Sequence, residues 1–271
     1  MMRASASRLF RTAGALAHEN PLGLPRAGTP PTWGKRPQKR KITGVDKVIA
    51  VSSAKGGVGK STVAANLSLA FARLGFRAGI LDTDIFGPSI PTLFDLSGEP
   101  RLSNMVWRGP MVMKAIQQLL HEVDWGGLDV LVLDLPPGTG DTQLTITQQV
   151  ILDGSVIVTT PHTLATKDAV KGINMFKTVN VDILGLVQNM SLFTCPHCKE
   201  GTHVFGSKDR VEKMCSEHSI DFLGDIPLHP NIGDDSEKGK PTVVAEPESE
   251  RAAAFLDIAR GILPKIEMKE R

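Results

Sequence analysis

The chain has 271 residues, 41% of them hydrophobic, enough apolar material for one large α/β domain with its own core. Its formal net charge is +2, with much of the basic excess near the N-terminus, which gives no sign of a nucleic-acid binder. No apolar run is long enough to form a transmembrane segment, and three cysteines are too few for a disulfide framework.

Met1–Lys41 differs from the rest. Arg3, Arg8 and Arg11 sit among Ala, Ser, Leu and Phe, and no acid precedes Glu19. Such an acid-poor, amphipathic, Arg- and Ser-bearing start reads as a mitochondrial transit peptide. Pro21–Pro37 is rich in Pro and Gly and reads as linker; the other reading is a basic tail or nuclear-type signal. The expected division is 1–41 as transit peptide and linker, and 42–271 as the folded domain.

Val48–Val51 is an apolar run of the buried-strand type. Ala54-Lys55-Gly56-Gly57-Val58-Gly59-Lys60-Ser61 follows, and Thr62–Leu74 continues as a helix with Val63, Leu67, Ala70 and Leu74 on one face. Strand, glycine loop and helix make a P-loop. Its backbone N–H groups would cradle phosphates, Lys60 would reach the β- and γ-phosphates, and Ser61 would ligate Mg²⁺. Ala54 departs from the strict pattern, and the loop follows the variant K-G-G-x-G-K-[ST] from Lys55 to Ser61.

Ala78–Leu81 reads as a second strand, ending at Asp82-Thr83-Asp84. Two acids there suit Mg²⁺ and water positioning. Pro91–Leu96 reads as a short helix, Ser97–Arg108 as a polar connection and Pro110–Val123 as a helix. Val130–Leu133 is another buried strand, and Asp134 stands where a Walker B acid would hold Mg²⁺. The Pro136–Asp141 turn after it could sense a γ-phosphate. Strands at Val156–Thr159, Ile183–Val187 and Phe222–Ile226 alternate with helices at Thr166–Val179, Ser207–His218 and Ala252–Leu263. Such alternation predicts an α/β fold: a mostly parallel sheet with helices on both faces.

Cys195-Pro196-His197-Cys198 supplies a close thiol pair, whereas Cys215 falls on a predicted helix and reads as core. A [4Fe–4S] cluster or a structural zinc ordinarily wants four ligands. His197 and His203 could complete a zinc site in one chain, or two chains could each give two cysteines across a dimer axis. Spacing alone leaves cluster and zinc equally open.

Lys55–Ser61, Asp82–Asp84, Asp134–Asp141 and Cys195/Cys198 together resemble the Mrp-type P-loop ATPases that carry iron–sulfur clusters. With the N-terminal segment, the chain is similar to their mitochondrial, nucleotide-binding-protein-like branch, over about Lys47 to Leu263. The resemblance implies a deviant Walker A, SIMIBI-like P-loop fold and an ATP site built from Ala54, Lys55, Gly56, Gly57, Val58, Gly59, Lys60, Ser61 and Thr62. It implies that Asn189 meets adenine, that Lys55 reaches the partner's nucleotide in a homodimer, and that Asp84 orients the attacking water. Asp134 and Asp141 match the second switch region. Ser61, Asp84 and Asp134 would hold Mg²⁺. Cys195 and Cys198 would bridge one [4Fe–4S] cluster between subunits, ahead of zinc or thiol redox.

The implied function is an ATP-dependent carrier in the mitochondrial matrix that delivers clusters to apo iron–sulfur proteins, with complex I subunits as recipients. The alternatives are a partition- or septum-type ATPase switch, which would use a C-terminal amphipathic membrane helix, and a small-molecule kinase, for which no acceptor pocket is evident. In one respect the chain departs from the family. Between Asn104 and Trp107 it lacks a stretch that usually includes an additional strand, so the sheet is expected to be one strand short.

Overall fold

A computed structural model describes residues 39–84, 87–97, 111–207 and 209–270. The N-terminal segment expected to be a transit peptide, apart from its last residues, and the connection around Asn104–Trp107 lie outside the described residues.

Strand β1 (Val45–Ser52) runs through the glycine loop into helix α1 (Lys60–Arg73). Strand β2 (Ala78–Asp82) and the short helix α2 (Ile90–Leu93) follow, then α3 (Met111–His121), β3 (Leu128–Asp134) and α4 (Asp141–Gln149). Next come β4 (Gly154–Thr159), α5 (Thr163–Thr178) and β5 (Ile183–Gln188). A two-stranded hairpin, β6 (Phe193–Thr194) and β7 (Gly201–Thr202), leads to α6 (Asp209–His218) and β8 (Phe222–Asp225). The chain finishes with α7 (Pro230–Glu237), α8 (Thr242–Ala245), α9 (Glu250–Ile262) and a 3₁₀ turn at Leu263–Ile266.

Among the described residues the main sheet has six strands in the order β2-β3-β1-β4-β5-β8, all parallel. Central strands of such a sheet are buried on both faces, so they are built from continuous apolar runs. Val130–Leu133 and Ile49–Val51 are fully enclosed. One face is covered by α1, α8 and α9, through Leu67, Phe71, Phe255 and Ile262. The other face is covered by α3, α4, α5 and α6, through Ile116, Ile146, Phe176 and Val211. Each such side chain, fully buried, contributes about 1.5–3 kcal/mol of apolar transfer.

β1 is flanked by β3 on one side and β4 on the other, although β2 follows it in sequence. The chain therefore leaves β1 and β3 in different directions at their C-terminal ends. That divergence opens a crevice where ligands bind in doubly wound sheets. The expected fold class holds.

Sequence periodicity missed α4, α7, α8 and the hairpin. The α4 segment, DTQLTITQQ, carries few apolar residues, so its helix follows from placement on the core rather than from an apolar stripe. The C-terminal helix found at α9 buries Phe255, Ile258, Ala259 and Ile262. Its apolar face is thus taken by the sheet and α1.

Candidate functional site

The glycine loop links the end of β1 to α1. Gly57 and Gly59 adopt φ of +76° and +80°, a region that side chains with a Cβ resist. Gly59 is also the N-terminal boundary of α1, and a Cβ there would collide with Asn189 Nδ2. Cβ atoms built on Gly56 and Gly57 would face open space, so the backbone there borders a cavity. That cleft holds about 480 Å³ and is lined by Ser53, Gly57, Lys60, Ser61, Asp84 and Pro137 among others. Ala54 and Lys55 are half-buried beside it, and Val58 is buried. Free N–H groups at the start of α1 and the positive end of its dipole point at this space.

Two loops from neighbouring strands close the cleft. Lys60 Nζ donates to Asp134 Oδ1 at the end of β3 and to Ser61 Oγ at 3.2 Å. Asp134 is completely buried, and its Oδ2 has no hydrogen-bond partner. Burial pushes its carboxyl up from the usual range, while the Lys60 ammonium pulls the other way. A buried carboxylate oxygen without a donor, beside a lysine and a serine hydroxyl, is a donor set that fits Mg²⁺ and phosphate.

The two acids after β2 separate in role. Asp82 Oδ1 accepts from the Asp84 amide at 2.9 Å, and Oδ2 accepts from the amides of Ser89 (2.7 Å) and Ile90 (3.1 Å). All of its acceptor geometry serves the loop and the first turn of α2. Of the two acids expected to suit Mg²⁺ and water positioning, Asp84 lines the cleft, and Asp82 shapes the loop that presents it. Thr83 fixes that loop to β3, donating from N (3.0 Å) and Oγ1 (2.7 Å) to the Asp134 carbonyl.

The turn after β3 is tied to the glycine loop by the Gly138 amide, which donates to the Ser53 carbonyl at 2.9 Å. Gln143, buried on α4, donates from Nε2 to Ser52 Oγ at 3.1 Å and to the Pro136 carbonyl. Gln143 escaped sequence reading because its partners lie on other elements.

Asn189 follows β5 and is 6% exposed. Its amide donates to the Thr159 carbonyl (2.8 Å), and its Nδ2 donates to the Val58 carbonyl at 2.9 Å. It thus reaches the underside of the glycine loop. A second cleft, of about 450 Å³, opens there, lined by Gly59, Thr62, Asn189, Met190, Phe193 and Pro227–Pro230. A largely apolar slot with one amide at its floor suits a flat heterocyclic base. The Pro227–Pro230 wall was not expected from sequence; its only signal there was a pair of prolines flanking a histidine.

The cysteines occupy the β6–β7 hairpin, where Phe193 pairs with Thr202 and Thr194 with Gly201. The Cys195 amide donates to the Glu200 carbonyl at 2.9 Å, and the Lys199 amide to the Cys195 carbonyl at 3.0 Å. Backbone amides of Cys198 and His197 hydrogen-bond the Cys195 sulfur and hold its thiol below the usual range. Cys195 is half-buried and Cys198 exposed, so the pair is reachable from solvent. Cys215 is buried on α6, and burial pushes its thiol up to about 11. Among the described residues, no group of three or more His, Cys, Asp or Glu side chains gathers to hold a metal. His203, a candidate zinc ligand, has its Nδ1 3.2 Å from the Ser191 carbonyl instead. The side chain of Asp141 lies outside the described residues.

A glycine loop at the head of a parallel sheet, with a buried lysine–aspartate pair beneath it, defines a P-loop NTPase fold. The profile of the ParA group described as NUBPL iron-transfer P-loop NTPase matches residues 44–104 and 99–263. The chain belongs to that family. The Dictyostelium discoideum "iron-sulfur cluster transfer protein NUBPL" is 46% identical over 267 residues, covering 86% of this chain and 81% of that one. The Arabidopsis thaliana "iron-sulfur protein required for NADH dehydrogenase, mitochondrial" is 40% identical over 265 residues, covering 88% and 84%. A nucleotide-binding protein from Archaeoglobus fulgidus, solved in complex with ADP, superposes with a TM-score of 0.66 at 37% identity, covering 79% of this chain and 94% of that one.

Proposed function

We propose that this chain is an ATP-dependent iron–sulfur cluster carrier that delivers [4Fe–4S] clusters to apo-proteins in the mitochondrial matrix, with complex I subunits as recipients. The observation that carries the reading is an accessible Cys195/Cys198 pair, with no third His, Cys, Asp or Glu gathered to it among the described residues, on a molecule that also has a phosphate cleft. Two thiolates hold half a cluster, and a second copy related by a two-fold axis supplies the rest. The names of the Dictyostelium and Arabidopsis relatives support both the cargo and the recipient. On this reading residues 1–41 are transit peptide and linker, cleaved on import upstream of Ile42, and 42–271 form the working domain.

In the phosphate cleft, the amides of Lys55–Thr62 bind the phosphate chain and Lys60 leaves Asp134 to meet the β- and γ-phosphates. Mg²⁺, when bound, neutralises charge on the transferred phosphoryl. Ser61, Asp84 and Asp134 are the residues that would hold it. Asp84 orients the attacking water, and Lys55 reaches the nucleotide of the second copy. Asn189 reads the adenine edge. The membrane-switch alternative would need a free amphipathic C-terminal helix, and the apolar face of α9 is buried on the sheet.

The test is anaerobic reconstitution followed by iron and sulfide analysis and mass by light scattering. About two irons per chain in a dimer is the expected result. Four irons on a monomer, or zinc that persists without iron uptake, would overturn the reading.

A further inference from the structure

Asn189 and Cys195 lie on one short strap, 189–195, between β5 and the hairpin. Its backbone is pinned almost residue by residue. The Asn189 amide is held by the Thr159 carbonyl at 2.8 Å and the Ser191 amide by the Ile226 carbonyl at 3.1 Å. The Leu192 carbonyl accepts from the Leu228 amide at 2.9 Å. Met190 between them takes φ of +55°, an uncommon conformation for a residue with a Cβ. A strap held this way transmits displacement rather than absorbing it.

The strap also borders two clefts. Asn189, Met190 and Phe193 line the 450 Å³ cleft under the glycine loop. Phe193, Thr194 and Cys195 line a further cleft of about 780 Å³ beside the cysteines. Pro227, Leu228, His229 and Pro230 line both, so the two spaces share one wall. The loops that face the phosphate end are differently connected. Among the described residues, no hydrogen bond joins 83–89 or 135–140 to 189–203.

We propose that filling of the base cleft, and not the γ-phosphate, sets the posture of Cys195 and Cys198, with the 189–195 strap as the lever. The Asn189 side-chain amide donates to the Val58 carbonyl at 2.9 Å, at the edge of the base cleft. A purine base that draws this amide to its own edge binds one strap position better than the other, and only such a difference can shift an equilibrium. ADP and ATP offer the same base, so they act alike on the cysteines. Linkage is reciprocal, so metal loading at the cysteines changes affinity for ADP and ATP by one common factor. The inference rests on the reading of this site as an adenine-nucleotide site.

The experiment uses full-length Cys215→Ala, leaving Cys195 and Cys198 as the thiols. Iodoacetamide labelling is followed by mass spectrometry, with Mg²⁺ and saturating ADP, ATP or pyrophosphate, saturation being established by calorimetry. ADP and ATP are expected to change the labelling rate equally, by about fivefold or more, the lower end of ordinary coupling. Pyrophosphate, which reaches the glycine loop but not the base cleft, is expected to leave the nucleotide-free rate. Asn189→Ala is expected to lose the response to ADP at saturation. A response to ATP but not ADP, an equal response to pyrophosphate, or an unchanged rate with ADP demonstrably bound would overturn the lever. Absence of any binding heat for ADP and ATP would instead sink the nucleotide reading, and the lever with it.

Discussion

Lys60 and Asp134 are buried together, 7% and 0% exposed, and each is the other's counter-charge. Lys60→Ala removes the cation that would meet phosphate and leaves Asp134 enclosed without it. Nucleotide affinity in calorimetry should fall by about a hundredfold or more, some 3 kcal/mol. The same variant should show a pH signature. Its Asp134 carboxyl, already raised by burial, loses the larger of the two groups that lowered it and keeps only Ser61. The native state then binds a proton that the unfolded state releases, so stability falls as pH rises above the ordinary carboxylate range. Urea midpoints should therefore drop more at pH 8 than at pH 5 relative to the parent; equal drops would mean Asp134 stays ionised. Cys215 gives a second test at this scale. Its thiol lies near 11 and is buried, so labelling of the native chain at pH 8 should modify Cys195 and Cys198 and spare Cys215 until unfolding. Between about 9 and 11 the unfolded thiol ionises while the folded one stays protonated, which lowers stability as pH rises.

At the scale of elements, the edge of the sheet stands out. β2 pairs with β3 on one side and, among the described residues, ends the strand order on the other. Ala78, Gly79 and Ile80 are half-buried, unlike the enclosed residues of β1 and β3. The family profile matches in two segments that meet at residues 99–104, next to the short connection. The alignment with the Dictyostelium relative runs over 267 positions, yet covers only 86% of this 271-residue chain, so that relative carries residues this chain lacks. An edge strand with an unpaired face is a site of weak packing and association. Restoring a stretch of family length between Asn104 and Trp107 should raise the thermal midpoint. Each kcal/mol gained would appear as about 2–4 °C in a domain of this size. Equal midpoints would mean the stretch adds nothing to the stability of this chain.

At the scale of the molecule, the three clefts and the cysteine hairpin sit beyond the C-terminal ends of the parallel strands. A second copy that shares a cluster would meet this side. Cys195→Ala should then abolish iron uptake and shift mass toward the monomer, while leaving ATP binding near that of the iron-free parent. A variant that still takes up two irons per chain would overturn the ligand role of Cys195, and one that stays dimeric without iron would separate dimerisation from the cluster.

The sequence alone determined the strand–loop–helix of Val48–Leu74, the acid at Asp134 and the thiol pair, because each is a local matter. Backbone cradle, apolar run and close cysteine spacing are written within a few consecutive residues. The alternation of strands and helices likewise fixed the fold class. Only the tertiary structure decided which of Asp82 and Asp84 faces the cleft, since that depends on amides presented by α2. It alone brought Asn189 beneath Val58, 131 positions away in sequence, and set Pro227–Pro230 between base cleft and cysteines. Helices α4, α7 and α8 carry too little apolar periodicity to declare themselves, and they form because the core they cover completes their hydrogen bonds and burial. Strand order, which places β1 between β3 and β4, is a property of long-range pairing, and no window of sequence contains it.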